Sequence, residues 1–446
     1  MTIAPHRDYC EINVPWIGSI PSHWSVVPLF SVAAERKEPN TGMKEDNLLS
    51  LSYGKIITKD ISSNDGLLPQ SFETYQVVHQ DDIVLRLTDL QNDKRSLRSA
   101  RVQQQGIITS AYVAICPSGV SSNFLNYLLR SYDQSKVLYS MGGGLRQSMK
   151  YSDVKWLPLV LPPLVEQNAI ATFLDRETAK IDALVNEQKR MIKLLKEKRQ
   201  AVISHAVTKG LDPNVKLKSS GVEWLGDVPE HWEVKQLRHL IKSILSGTSV
   251  NAIDTPATEN ELGVLKTSCV YSGEFNPSEN KTIIPEEYPR VSCPVISDSL
   301  IVSRMNTPDL VGAAGLSIEN LSNIFLPDRL WQIQFCDASA AFIHLWTLTL
   351  EYRAQVHIAC AGTSSSMQNL SQDQFKAFCL VVPPLQEQLI IVDKIHTEIQ
   401  RTKEILDQSE AAIKLLLERR SALISAAVTG KIDVLGSVPD QQVAAE

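Results

Sequence analysis

The chain has 446 residues, of which 43% are hydrophobic, with 44 basic against 50 acidic side chains and a formal net charge of −6. At roughly 100–200 residues per domain this length asks for two to four cores, and the acidic balance excludes a uniformly basic surface, so any contact with a polyanion must be local. Seven scattered cysteines without a C-x-x-C pair argue against a disulfide framework and a cysteine zinc site. With no signal-peptide pattern at MTIAPHRDYC and no apolar run long enough to span a bilayer, the chain reads as cytoplasmic.

In chain order, the first recognisable element is WIGSIPSHWSVVPL from Trp16, and WLGDVPEHWEVKQL from Trp224 repeats it at a spacing of 208. Trp16/Trp224, Gly18/Gly226, Pro21/Pro229, His23/His231, Trp24/Trp232 and Leu29/Leu237 coincide. A Trp-Gly-Pro-His-Trp cluster repeated where variable segments join a fixed frame reads as packing, with His23 and His231 as hydrogen-bonded structural residues.

The segment that follows carries RLTDLQNDKRSLRSAR at 86–101, with five basic residues (Arg86, Lys94, Arg95, Arg98, Arg101) against two acidic ones, and Thr88 among its polar side chains. Such groups supply phosphate contacts, and Arg, Asn and Gln can pair with base edges, so this loop is the first candidate for nucleic-acid contact; a solvated charged turn is the competing reading. Next comes MGGGLRQSMK, where three glycines permit close backbone approach and Arg146, Gln147 and Lys150 offer donors. Its counterpart 221 residues on is AGTSSSMQNL, with Ser364, Ser365 and Gln368. Both precede the last strand of their segment, which suits a structural turn equally well.

The short apolar runs LPLVL and CLVV read as strands, and each is closed by a Pro-Pro pair that ends strand pairing and can open a helix. LPPLVEQNAI from Leu161 and VPPLQEQLII from Val382 repeat at 221, as do the endings LLKEKRQAVISHAVT and LLLERRSALISAAVT. The two spacings differ by 13, so the second copy carries a net 13 extra residues inside its variable segment. No proline or glycine interrupts 165–208 or 386–429, which predicts two helices of about 44 residues, or ~65 Å each. Their predicted seams hold Ile170, Leu174, Ile181, Leu184, Met191, Leu195, Val202 and Ala206, with Glu177, Gln188 and Arg199 interrupting, and Ile391, Ile395, Ile405, Ala412, Leu416, Leu423 and Ala427. Between the repeated elements of the second copy lie Thr248, after the first predicted element, and Arg304 and Asn306, which follow the apolar strand SLIV in a strand-then-polar-loop pattern that parallels DIVLRLTD.

The predicted architecture is α+β: two globular mixed α/β domains separated by two long antiparallel helices that form a coiled coil, with a pseudo-twofold internal repeat and the heads at opposite ends of a rod. Its boundaries are 1–160, 161–215, 216–381 and 382–432, followed by a tail at 433–446.

With the repeated W-[IL]-G-x-[IV]-P-x-H-W, [LV]-P-P-L-x-E-Q and A-[VL]-I-S-x-A-V-T elements in one order, nearly the whole chain resembles the DNA-specificity subunits of type I restriction-modification systems. That resemblance implies two target-recognition domains, each reading one half of an asymmetric bipartite site on double-stranded DNA. It also implies docking of two modification subunits, which methylate adenine, and of restriction subunits. The basic cluster Lys189, Arg190, Lys193, Lys196, Lys198 and Arg199 is then either a solvated helix face or one turned to DNA or a modification subunit. No catalytic residue, metal or cofactor is expected on this chain: it holds no G-x-x-x-x-G-K-[ST], no Asn/Asp-Pro-Pro-[Tyr/Phe] and no H-E-x-x-H. S-adenosylmethionine, ATP and Mg belong on the partners. The alternative reading is a duplicated coiled-coil scaffold that recruits proteins without touching DNA.

Overall fold

The computed structural model describes residues 4–61, 71–89, 97–141, 148–360 and 366–437. The chain divides into two compact units, one of 1–189 with 410–446 and one of 190–409. Each unit therefore combines one globular head with part of each long helix. Those helices run Leu164–Lys209 and Leu385–Val428, each end within a residue of the uninterrupted helix-forming stretches 165–208 and 386–429. Each ends at a glycine in the left-handed region, Gly210 (φ 80°) and Gly430 (φ 73°), where any side chain would be strained.

In the first unit, Tyr9–Glu11 pairs antiparallel with Ser19–Pro21, and Ser25–Pro28 with Pro158–Leu161, so the opening motif and the strand before the first Pro-Pro lie side by side. The head's main sheet is antiparallel in the order Ala33–Glu35, Val113–Pro117, Ile83–Leu85, Ser99–Arg101. A hairpin, Leu49–Ser52 with Lys55–Thr58, is joined through a Leu48–Ile107 bridge to the pair Gly106–Ile108 and Gln76–Val78. Helix Ser122–Gln134 packs on the first long helix, where the Tyr127 hydroxyl donates to Asp175 Oδ1 at 2.7 Å. One core joins Phe124 and Leu128 of the head to Ile170 and Leu174 of the first long helix and to Ile424, Ala427 and Val428 of the second.

In the second unit the frame recurs: Leu217–Ser219 with Asp227–Pro229, and Glu233–Gln236 with Cys379–Val382. The main sheet runs Ile241–Ser246, Leu330–Phe335, Ser299–Ser303, Ala314–Ser317, the same strand order as in the first head. What differs is the attached small sheet, here five-stranded, in the order Ala252–Ile253, Asn280–Ile283, Gly263–Leu265, Leu321–Phe325, Pro294–Val295. The core centres on Trp232, Trp331, Trp346 and Phe342, closed by Ile203, Ala206 and Val207 of the first long helix and Ile391 and Ile395 of the second.

Within each unit the helix segments run antiparallel. In the first, Asp182 meets Arg420 at 2.9 Å, while Glu166 and Gly430 both border Trp24. In the second, Lys198 meets Glu398 at 3.7 Å, while Gly210 faces Trp232 and Glu387. The seam departs from the predicted register. Leu184 is 53% exposed and Met191 37%, whereas Val185 and Thr178 are buried; Ile203, Leu406 and Ile424 are buried where Val202, Ile405 and Leu423 were expected. Buried positions 170, 174, 178, 181 and 185 follow the 3.6-residue period of a straight helix, which drifts from the heptad by about 20° per repeat.

The repeated motifs explain this frame chemically. The Gln of each P-P-L-x-E-Q is buried and makes two matched bonds: Gln167 Nε2 donates to Pro162 O at 2.9 Å and Gln388 Nε2 to Pro383 O at 2.9 Å. Their carbonyls accept from the backbone at the start of each head's helix, Ser121 N at 2.9 Å and Ser339 N at 2.8 Å. The preceding Glu holds the opening motif: His23 donates to Glu166 and His231 to Glu387, both at 2.8 Å. Trp24 and Trp232 are buried, as the packing reading requires.

Candidate DNA interface

In the second head, strand Ser299–Ser303 delivers Arg304 to the end of the main sheet, and Met305–Asn306 then pairs with Gln368–Asn369. Leu370 N donates to Arg304 O at 2.8 Å, which locks these two loops together. A third segment joins them at Asp328, whose carbonyl accepts both Arg304 Nε at 2.8 Å and Ser246 Oγ at 3.3 Å. Arg304, Asn306, Gln368 and the Ser246–Thr248 loop, far apart in sequence, thus share one end of the sheet. Thr248 is half-buried, with Oγ1 2.7 Å from Ser292 Oγ.

Asn306 needs correcting as a contact residue. It is buried, its Nδ2 donates to the Tyr271 hydroxyl at 2.7 Å and to Ser303 Oγ at 3.3 Å, and its Oδ1 accepts from Thr307 N at 2.9 Å. An amide so engaged has little left for a base edge; it fixes Tyr271 instead. Tyr271, 38% exposed, also bonds Thr267 Oγ1 at 2.7 Å and is the surface group of this cluster that the sequence reading missed. Gln368 keeps one free acceptor: its Oε1 is shielded from solvent and has no hydrogen-bond partner among the described residues.

The first head brings its candidate loops together in the same way. Met149 N donates to Leu87 O at 2.8 Å, tying the segment before Lys150 to the RLTD loop. Arg98 again needs correcting. It is fully buried, and its guanidinium donates to Arg86 O at 3.3 Å, Thr88 O at 2.8 Å, Asp89 O at 3.2 Å and the Tyr139 hydroxyl at 3.0 Å. Its backbone N donates to Asp133 Oδ2 at 2.8 Å, and burial raises the Asp133 carboxyl above its ordinary pKa. Arg98 is therefore the internal brace of the loop: its donors point at main-chain carbonyls that would otherwise be unpaired. Arg86 and Thr88 are half-buried, Lys150 is exposed, and Arg101 pairs with Asp81 at 3.0 Å while a third of its side chain remains open. Lys94, Arg95, Arg146, Gln147, Ser364 and Ser365 lie outside the described residues.

Comparison with known proteins matches this arrangement along its length. No family model matches the chain. It is 22% identical over 440 residues to the EcoKI specificity subunit of Escherichia coli K12, covering 93% of this chain and 90% of that protein. It is 21% identical over 446 residues to the StySPI specificity subunit of Salmonella potsdam, with the same coverage. A chain solved in work on complex assembly and conformational transition of the type I R-M system superposes with a TM-score of 0.67 at 15% identity, covering 93% of this chain and 99% of that one. The HsdS subunit of Thermoanaerobacter tengcongensis gives 0.50 at 16% identity over 93% and 98%. Along nearly its whole length the chain is similar to the specificity subunits of type I restriction enzymes. In this chain the two repeated junctions are the shared frame, and the loop ends built on the two main sheets are where its heads differ. No described helix is long and apolar enough to cross a membrane.

Proposed function

We propose that this chain is the non-catalytic, sequence-reading subunit of a type I restriction-modification complex, in which each head reads one half of an asymmetric bipartite DNA site. The observation that carries this reading is the pairing of one strand order with two unrelated sets of loops. A fixed sheet carrying different side chains at the same end can present different donor and acceptor patterns to the major groove. Arg86, Arg101 and Lys150 in the first head, and Arg304, Thr248, Tyr271 and Gln368 in the second, are the described groups assigned to that contact. Phosphate neutralisation by the basic ones would position each head, and base-edge contacts would select.

The same reading assigns the exposed apolar residues at the start of the second long helix, Leu385, Leu389 and Ile390, to a modification subunit. S-adenosylmethionine, ATP and Mg would reside on partner subunits, with this chain supplying only recognition and docking. The test is genome-wide mapping of N6-methyladenine in a methylation-free host expressing this chain with its modification subunit. A bipartite methylated motif that vanishes without this chain supports the reading. Unchanged methylation in its absence overturns it and leaves protein recruitment as the role to examine.

A further inference from the structure

We infer that His6, His23 and Glu166 form a binding site for one divalent ion of the zinc class. The three side chains come from the segment before the first strand, the opening motif and the first turn of the first long helix. Their ligand atoms all lie within 4.8 Å of one another. His23 Nε2 is 2.8 Å from Glu166 Oε2, and His6 Nε2 is 3.7 Å from Glu166 Oε1, beyond hydrogen-bond length. Two ligand atoms on one tetrahedral ion are about 3.4 Å apart when each is ~2.1 Å from the metal. The observed spacings bracket that value, so small side-chain rotations close the site.

Burial and orientation favour the same conclusion. The Glu166 and His6 side chains are only 6% and 8% exposed, whereas His23 is 50% exposed and leaves a fourth position open to water. Trp24 Nε1 donates to Glu166 Oε1 at 3.1 Å, the kind of outer hydrogen bond that fixes a ligating carboxylate. The His6 ring is held between aromatic neighbours, edge-on to Trp24 at 6.1 Å and to Tyr9 at 6.4 Å between centroids. Two imidazoles and one carboxylate select a borderline transition ion over Mg or Ca. On binding, each imidazole carries its proton on Nδ1 and offers Nε2, and the His23–Glu166 hydrogen bond is replaced by two coordinate bonds.

The second copy supplies an internal control. His231 and Glu387 repeat the 2.8 Å contact, but the residue 208 positions beyond His6 is Asn214, and Glu387 is 33% exposed. A hydrogen-bonded His–Glu pair is thus what the frame needs; the buried third donor exists only in the first copy. The ion would staple three chain segments at one junction.

The full chain, in complex with its modification subunit, is loaded with Zn²⁺ and desalted, and bound metal is counted; Co²⁺ substitution gives a visible d–d absorption reporting a tetrahedral site. One ion per chain is expected. His6→Asn places the second copy's residue at this position and so preserves the junction, yet it should weaken zinc binding more than ~100-fold, beyond the loss from removing an outer-shell partner. His23→Gln should do the same. A native chain that retains no zinc, or retention that His6→Asn leaves intact, overturns the assignment.

Discussion

Gln167 and Gln388 make the same two hydrogen bonds in the two units, and Glu166 and Glu387 hold their histidines at the same distance. Arg98 and Asn306, by contrast, brace the loops that leave corresponding strands, yet they differ in residue type and, a tyrosine hydroxyl apart, in the groups they bind. The difference shows two kinds of constraint. A junction where three chain segments meet needs donors and acceptors at fixed places, so its residues repeat. A loop at a sheet end needs only that its main-chain groups be paired somehow, so the bracing residue is free to differ and the outward side chains are free to vary.

The equivalence of the junctions breaks if the matched glutamines do not cost the same. Gln167→Ala and Gln388→Ala each leave a buried carbonyl and a half-buried N–H without a partner, at about 1–3 kcal/mol for the first and less for the second, so each should cost ~2–4 kcal/mol. Urea unfolding of the full chain, followed by a probe in the affected head, measures both. Losses that differ severalfold would show that one copy compensates where the other does not.

A smaller effect separates the copies. Trp24 donates Nε1 to the Glu166 carboxylate, whereas Trp232 Nε1 is buried with no hydrogen-bond partner among the described residues. Trp24→Phe and Trp232→Phe remove the same volume, but only the first takes a donor from a charged acceptor. Trp24→Phe should therefore be the more destabilising by roughly 1–2 kcal/mol. Equal losses in melting temperature would mean that the indole N–H contributes nothing at the first junction.

How much of this was legible in the sequence follows from the same distinction. The helices were bounded within a residue because prolines and glycines mark their ends, and the junctions were visible because their residues repeat. The heads' common strand order was not visible. Strands of three to six residues, such as Ile83–Leu85 and Ser299–Ser303, need only apolar side chains, and any apolar set satisfies a shared topology. Arg98 was misplaced for a related reason: a count of basic residues in 86–101 cannot say which guanidinium turns inward. The signal was the adjoining strand Ser99–Arg101, which pulls its neighbour into the sheet's edge, but its partner Asp133 lies on a helix 35 residues away. The helix seam slipped because a strict heptad was imposed on helices that follow the straight 3.6 period.

The finest contrast between the units is in acid. His344 in the second head is held by its bond to Gly273 O at 2.7 Å, and burial lowers its pKa below the ordinary imidazole value, against smaller opposing effects of that carbonyl and Glu274. The unfolded chain therefore takes up this proton at a higher pH than the folded one does. Stability from neutral His344 is fully present above the unfolded value of about 6.5 and is lost as pH falls below it, at no more than ~1.4 kcal/mol per pH unit. Acidification from pH 7.5 to 5.5 should lower the melting of the second head more than that of the first, and His344→Gln, which can still donate to Gly273 O, should remove the difference. If both heads lose stability in parallel, or the variant keeps the difference, burial of this imidazole is not what separates them.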